Sequence, residues 1–308
     1  MRMMRLLSVM MLFFLAACSS GLKLVKVGVD LNRGPYVDGM HGVENLAFDG
    51  EGVLFVTGLD GMLYRIEPTG DPFQGKIAVQ KKLGAMCLGI EIGPDGFVYV
   101  GVEDENGVRR IGKIDKNFGM IGYLTDDIPG LNGFAQSRNY LYYTASNEGI
   151  FFPKGKILRV KFGADENFKR PEVVVDKSGV ANGLAFSPDE TILYYTETLN
   201  GVWSFDLEKK VKKQIYNPSG VQVFDDIDTA PDGTLWLCLN SELALVSIRN
   251  GMAKIGYRVG DLKAPSSCRF GKGPGFRPDF LYITEFGLKG RSLKMNGRGI
   301  WVLPTAGL

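Results

Sequence analysis

Six times along the chain a small or polar turn leads into an apolar-alternating run. A turn rich in Asp, Gly or Pro follows, and then a run of Tyr, Trp, Phe, Leu and Val. The copies are "GVENLAFDGEGVLFVTG", "CLGIEIGPDGFVYVGV", "LNGFAQSRNYLYYTAS", "VANGLAFSPDETILYYTE", "VFDDIDTAPDGTLWLCLN" and "SSCRFGKGPGFRPDFLYITE". Alternation over short runs bounded by such turns is the signature of half-buried strands. A third strand follows most copies, as in "MLYRIEP", "RRIGKID", "KILRVKF", "GVWSFDL" and "LALVSIR", and then a less regular fourth. Repeats of this length with short connections predict an all-β, six-bladed β-propeller with four antiparallel strands per blade. No window after the first twenty residues sustains the i, i+3, i+4, i+7 spacing of an amphipathic helix. The run "LKLVKVGVDL", residues 22–31, has no partner in the first repeat and is expected to close the last blade. The Gly- and Lys-rich stretch "EFGLKGRSLKMNG", residues 285–297, reads as a surface loop interrupting the sixth repeat.

The start of the chain changes this picture. Arg2 and Arg5 precede an apolar run from Leu6 to Ala17 that is too short to span a bilayer. It ends in Leu15-Ala16-Ala17-Cys18, which resembles the lipobox of bacterial lipoproteins. The expected organisation is a signal peptide over residues 1–17, a lipidated Cys18 with a short tether over 18–21, and one propeller domain over 22–308. Cys18 would then anchor the protein in the bacterial cell envelope. Ser19 and Ser20 favour the periplasmic face of the outer membrane, because no Asp follows the cysteine. The remaining cysteines, Cys87, Cys238 and Cys268, lie in strand-like runs without metal-ligand spacing and read as buried thiols. A formal net charge of +2 with no block of like charge argues against a nucleic-acid partner, and the chain is expected to be monomeric.

Aligning the six copies on their first strands gives one residue at each strand's entry: Glu44, Leu88, Asn132, Asn182, Asp225 and Ser267. In a propeller the innermost strands line a central channel, so these residues should meet around the axis. Two carboxylates and two amides, without sulfur or imidazole, are the donors a hard divalent cation such as Ca²⁺ takes. Each "NG" taken singly would be read as turn chemistry. Two uncompensated carboxylates near one axis repel each other, and a cation removes that cost.

Glu44 in "GVENLAF", Asn182 in "ANGLAFSPD", Asp225 ahead of "PDGTLW" and the stretch "SSCRFG" resemble the gluconolactonase/regucalcin (senescence marker protein) family. "VANGLAFSPD" and "FDDI" are similar also to paraoxonases and strictosidine synthase-like proteins. The similarity runs over residues 40–304. It implies a propeller with Ca²⁺ or another divalent cation in its channel that hydrolyses a small lactone or ester. On that resemblance Glu44, Asn132, Asn182 and Asp225 are the metal positions. Asp226 matches a paraoxonase-type ligand that is usually Asn.

Hydrolysis needs a polarised carbonyl, an activated water or nucleophile, and charge stabilisation at the oxyanion. Asp225 is the first choice for base or nucleophile and Asp226 the second. His41, the one histidine, stands three residues before Glu44, and imidazole is a common general base, which adds it as a catalytic candidate. Leu88 stands where the paraoxonase pattern carries a histidine. No "GxSxG" elbow occurs. The alternative reading is a noncatalytic, lipid-anchored propeller that binds a protein or small-molecule partner.

Overall fold

The computed structural model describes residues 33–146, 155–162, 171–217, 222–239, 242–249, 252–259, 262, 264–289, 292–295 and 297–305. The leader, Cys18 and the strand expected over residues 22–31 lie outside the described residues.

The architecture is an all-β propeller. The first blade holds β1 (Val43–Phe48), β2 (Leu54–Gly58), β3 (Met62–Pro68) and β4 (Gly75–Lys82), and the second β5 (Met86–Ile92), β6 (Val98–Glu103), β7 (Arg109–Ile114) and β8 (Met120–Tyr123). The third holds β9 (Leu131–Ser137), β10 (Tyr140–Ser146), β11 (Gly155–Lys161) and β12 (Glu172–Asp176). The fourth holds β13 (Ala181–Phe186), β14 (Ile192–Glu197), β15 (Gly201–Asp206) and β16 (Val211–Tyr216). The fifth holds β17 (Phe224–Thr229), β18 (Leu235–Leu239), β19 (Glu242–Arg249) and β20 (Met252–Val259).

Among the described residues five four-stranded blades form, not the six expected from the repeats. The remaining sector holds a smaller, three-stranded sheet of β21 (Pro265–Phe270), β22 (Phe280–Glu285) and β25 (Gly299–Pro304). The stretch read as a surface loop instead carries a short hairpin, β23 (Leu288–Lys289) with β24 (Ser292–Met295), which pushes the third strand of that sheet far down the chain. At the outer edge of this sheet the described pairing is a single bridge between Val37 and Ile300, where the Tyr36 amide donates to the Ile300 carbonyl at 2.6 Å.

The hairpins between first and second strands follow from their turn residues. Asp49 Oδ1 accepts the amides of Glu51 and Val53, and Asp189 and Asp232 serve Thr191 and Thr234 in the same way. The apolar positions of the inner strands then pack between neighbouring sheets. Phe55, Leu63, Ile90 and Val100 join the first and second blades, and Phe224, Ile227 and Leu237 join Val202 and Ile215 of the fourth to the fifth. Trp236 of the fifth blade packs with Cys268, Ile283 and Trp301 of the three-stranded sheet, and Tyr282 of that sheet packs with Leu46 and Val56 of the first blade. Each such side chain contributes about 1.5–3 kcal/mol on burial.

Candidate functional site

Each innermost strand slips register against its neighbour at the same place. The shifts fall between Val43 and Leu46, Cys87 and Ile90, Ala181 and Leu184, Phe224 and Ile227, and Pro265 and Cys268, and β10 records the equivalent slip opposite Leu131 and Phe134. Two residues per strand therefore sit in a bulge: Glu44 and Asn45, Leu88 and Gly89, Asn132 and Gly133, Asn182 and Gly183, Asp225 and Asp226, Ser266 and Ser267. A bulge re-aims side chains away from the sheet. In the three-stranded sheet the entry position belongs to Ser266 and not Ser267; two adjacent serines conceal the register until the strand partners are known. The "NG" pairs are bulges and not hairpin turns. A Cβ at Gly133 would collide with the Asn182 carbonyl, and one at Gly183 with the backbone of Asp226, so glycine here permits adjacent inner strands to approach.

A threonine on the second strand holds each of four bulges. Thr144 Oγ1 accepts the Gly133 amide at 2.9 Å and donates to the Asn182 carbonyl of the next blade at 3.1 Å. Thr196 accepts from Gly183 at 2.9 Å and donates to the Asp225 carbonyl at 2.5 Å. Thr57 links Asn45 to the Leu88 carbonyl, and Thr284 links Ser267 to the Glu44 carbonyl. The backbones of Glu44, Leu88, Asn182 and Asp225 are thus each clamped by the preceding sheet. Gly101 and Cys238 occupy the corresponding positions of the second and fifth blades. Sequence reasoning missed these threonines, although "VTG", "YTA", "YTE" and "ITE" place one at the same point of four repeats.

The side chains at the ring differ in what neutralises them. Glu44 is 9% exposed, and burial, then the charge of Asp226, pushes its carboxyl up to about 8. Asp225 keeps part of its surface in the channel. Its carboxyl is nonetheless pushed well above the usual range by burial, by Glu44 and by Asp226, against the pull of the Asn182 amide, which donates to Asp225 Oδ1 at 2.8 Å. Asn132 Oδ1 is buried without a hydrogen-bond partner. Asp226 is occupied differently: its Oδ2 accepts from Arg269 Nη1 at 2.6 Å and from the Ser267 hydroxyl. Arg269 was not singled out by the sequence reading. The signal available was a lone arginine inside the apolar strand "SSCRF".

The structure brings Glu44, Asn182, Asp225 and Asp226 into mutual influence, and places Asn132 beside Asn182 through Gly133. Leu88 is buried and leaves the second blade's position apolar. His41 is exposed on the rim, where its Nδ1 donates to the Gly297 carbonyl at 3.0 Å in the tautomer that leaves Nε2 an acceptor. Cys87, Cys238 and Cys268 are buried free thiols. Among the described residues no group of three or more His, Cys, Asp or Glu side chains converges as a metal cluster. A cation here would rest on Glu44 and Asp225 with amide oxygens. The partnerless Asn132 oxygen and the two mutually opposed carboxyls suit it.

The family model for the SMP-30/gluconolactonase/LRE-like region matches residues 132–286, half of the chain. The chain belongs to the SMP-30/gluconolactonase/LRE-like family. The matched span includes Asn132, Asn182, Asp225 and Asp226, and ends just past the second strand of the three-stranded sheet. Among solved structures, the calcium-binding protein regucalcin from Agrobacterium tumefaciens superposes with a TM-score of 0.71 at 15% identity, covering 92% of this chain and 95% of that one. A gluconolactonase from Xanthomonas campestris gives 0.62 at 17% identity, covering 88% of each chain. At such identities the likeness is one of fold. The cell growth-regulated gene 1 protein of Candida albicans is 24% identical over 156 residues, which span 47% of this chain and 45% of that protein.

Proposed function

We propose that this member of the SMP-30/gluconolactonase/LRE-like family is a divalent-cation-dependent hydrolase of a small lactone or ester. Glu44, Asn132, Asn182 and Asp225 would hold the cation, with Ca²⁺ the natural choice for an all-oxygen set. The observation that carries the reading is the meeting of Glu44 and Asp225, two carboxyls raised by burial and by each other's surroundings, at a ring position with amide neighbours. The family match and the likeness to a gluconolactonase support a lactone as substrate.

A bound cation would supply the positive charge that polarises the substrate carbonyl and steadies the oxyanion. The remaining steps fall to this chain's own side chains. Asp225, clamped through its carbonyl by Thr196, presents Oδ2 as the acceptor for a proton from an attacking water, while Oδ1 stays on the Asn182 amide. Asp226 is held by Arg269 and Ser267, which supports a positioning role for it and favours Asp225 as the base. Leu88 gives the substrate's carbon skeleton an apolar wall. The rim imidazole of His41 is the second base, through Nε2. Location follows the sequence reading: lipid on Cys18 would tether the protein at the cell envelope, and Cys18→Ser should move it from the membrane fraction to the soluble one. The functional test is hydrolysis of a panel of lactones and aryl esters by the purified protein with chelator and with added Ca²⁺. Turnover abolished by chelator and restored by Ca²⁺ is expected; turnover indifferent to chelator overturns the reading.

A further inference from the structure

Around the ring of sheets, Thr57, Thr144, Thr196 and Thr284 each tie one sheet to the next, whereas Gly101 and Cys238 stand where a threonine is lacking. The two exceptions show what faces a clamp position. A Cβ placed on Gly101 would lie 3.5 Å from Phe134 Cζ, and Phe134 is the first residue past the bulge in the inner strand of the next blade. Cys238 holds the same position in the fifth blade, opposite the Asp225–Asp226 bulge, and Cys268 is the first residue past the bulge of β21. The rotation of the ring thus sets one thiol against another. Both are fully buried, in one cluster with Trp236, Leu281, Ile283 and Trp301. The Cys268 thiol donates at 3.7 Å to the carbonyl of Trp236, two residues from Cys238 on the same strand. Burial, and then a hydrogen bond shared with Cys268, push the Cys238 thiol up. Cys87 belongs to a different junction, packed between the first and second blades with its thiol on the Gly61 carbonyl at 3.3 Å.

A hydroxyl donates and accepts well across a junction, and a thiol does both weakly, so the fifth blade lacks the tie its neighbours have. We propose that Cys238 and Cys268 are an oxidisable pair whose disulfide joins the fifth blade to the three-stranded sheet, a covalent clamp where the threonine is lacking. One thiolate attacks an incoming disulfide, of glutathione or of a thiol–disulfide oxidoreductase, and displaces one of its sulfurs as a thiol. The second thiolate attacks the resulting mixed disulfide and displaces the other sulfur. The two cysteines lose two protons and two electrons, the incoming disulfide gains them, and one S–S bond forms. Exchange needs thiolate and access, which burial suppresses, so the bond forms before the two sheets pack and is protected afterwards. The cysteines stand thirty positions apart, and closing a loop of that length removes chain entropy from the unfolded state. The bond supports the strand opposite Asp225 and Asp226 and takes no part in the chemistry, so it does not depend on the cation reading. Export, as read from residues 1–17, would deliver the chain to a compartment where such a bond persists.

The test is refolding of the reduced, denatured full chain in a buffer of reduced and oxidised glutathione, followed by peptide mapping and mass spectrometry without reductant. One crosslinked peptide pair is expected, Cys238 with Cys268, and Cys87 should remain a thiol. Refolded protein in which Cys238 and Cys268 stay thiols or carry only glutathione, or in which either pairs with Cys87 or Cys18, overturns the proposal. Thermal unfolding reads the clamp itself, and reductant should lower the melting temperature of the oxidised wild type by roughly 5–10 °C. Cys238→Thr, which writes in the hydroxyl of the other junctions, and Cys268→Ala should each lose that response, while Cys87→Ala should keep it. The wild-type measurements need no variant to fold. An oxidised wild type whose melting temperature ignores reductant, or a Cys238→Thr variant that still responds, would show that the two thiols only pack, and the proposal would be wrong.

Discussion

The outer ring and the inner cluster of the channel are both rich in carboxylates, but only one contains its own counter-charge. Asp225 faces the Asn182 amide and the charges of Glu44 and Asp226, and Glu44 faces the charge of Asp226. Asp226, Asp228 and Glu91 face Arg269. The same fold thus shows two ways of handling buried negative charge: a side-chain cation that is always present, and a pair of acids left to protonate or to wait for an ion. The first makes structure. The second is the proposed site, where an incoming cation would have uncompensated charge to balance.

Removing a partner from each group should have opposite effects, and this is the sharpest way to break the comparison. Asp226→Asn leaves Arg269 without its closest ion pair and should destabilise the protein by about 3–5 kcal/mol, the range for one-sided loss of a buried pair. Glu44→Gln removes an uncompensated acid and should raise the melting temperature in chelator above neutral pH. Thermal unfolding of both variants reads this. A drop for Glu44→Gln in chelator would mean that the outer ring already has a counter-charge.

The clamps give a smaller effect. Thr196→Val leaves the Gly183 amide and the Asp225 carbonyl without their hydroxyl, which should cost about 1–3 kcal/mol. Calcium affinity should also weaken, because the variant loosens the strand entry that carries Asp225. An equal loss of stability with unchanged affinity would show that the clamp holds the sheet but not the site.

Smallest is the pH dependence. The folded carboxyl of Glu44 lies at about 8, above its ordinary value of 4.5. Between those two values the folded chain holds a proton that the unfolded chain has released, so this group's contribution to stability falls as pH rises. Glu91, raised to about 7 by burial against the pull of Arg269, acts in the same direction over a narrower window. Saturating Ca²⁺ should flatten the Glu44 part of the slope and leave that of Glu91. A slope unaltered by Ca²⁺ would separate Glu44 from the cation.

Much of the propeller was legible because turns such as "DGEG" and "PDG" and the alternation after them mark each first hairpin locally. The last sector was not. Its third strand is displaced by the hairpin of Leu288–Lys289 and Ser292–Met295, and counting repeats cannot reveal how many strands each sheet keeps. That Glu44, Asn132, Asn182 and Asp225 hold equivalent strand positions was readable from spacing, since bulges recur at the entry of the strands. Ser266 and Ser267 were not distinguishable, because register belongs to the partner strand. Arg269 escaped for a related reason: its three acids come from blades whose sequences lie 41 residues and more away, and nothing local in "SSCRF" names them.

The most direct test of the central claim is turnover at saturating Ca²⁺ for Asp225→Asn and Glu44→Gln, with the best substrate of the lactone and ester panel. A residue that only holds the cation loses affinity that excess calcium restores by mass action, whereas loss of the base costs about 10²–10⁴-fold that no excess restores. The account predicts that Glu44→Gln recovers most of the wild-type rate and Asp225→Asn does not. Full recovery of Asp225→Asn would contradict it, reducing Asp225 to a ligand and moving the base elsewhere.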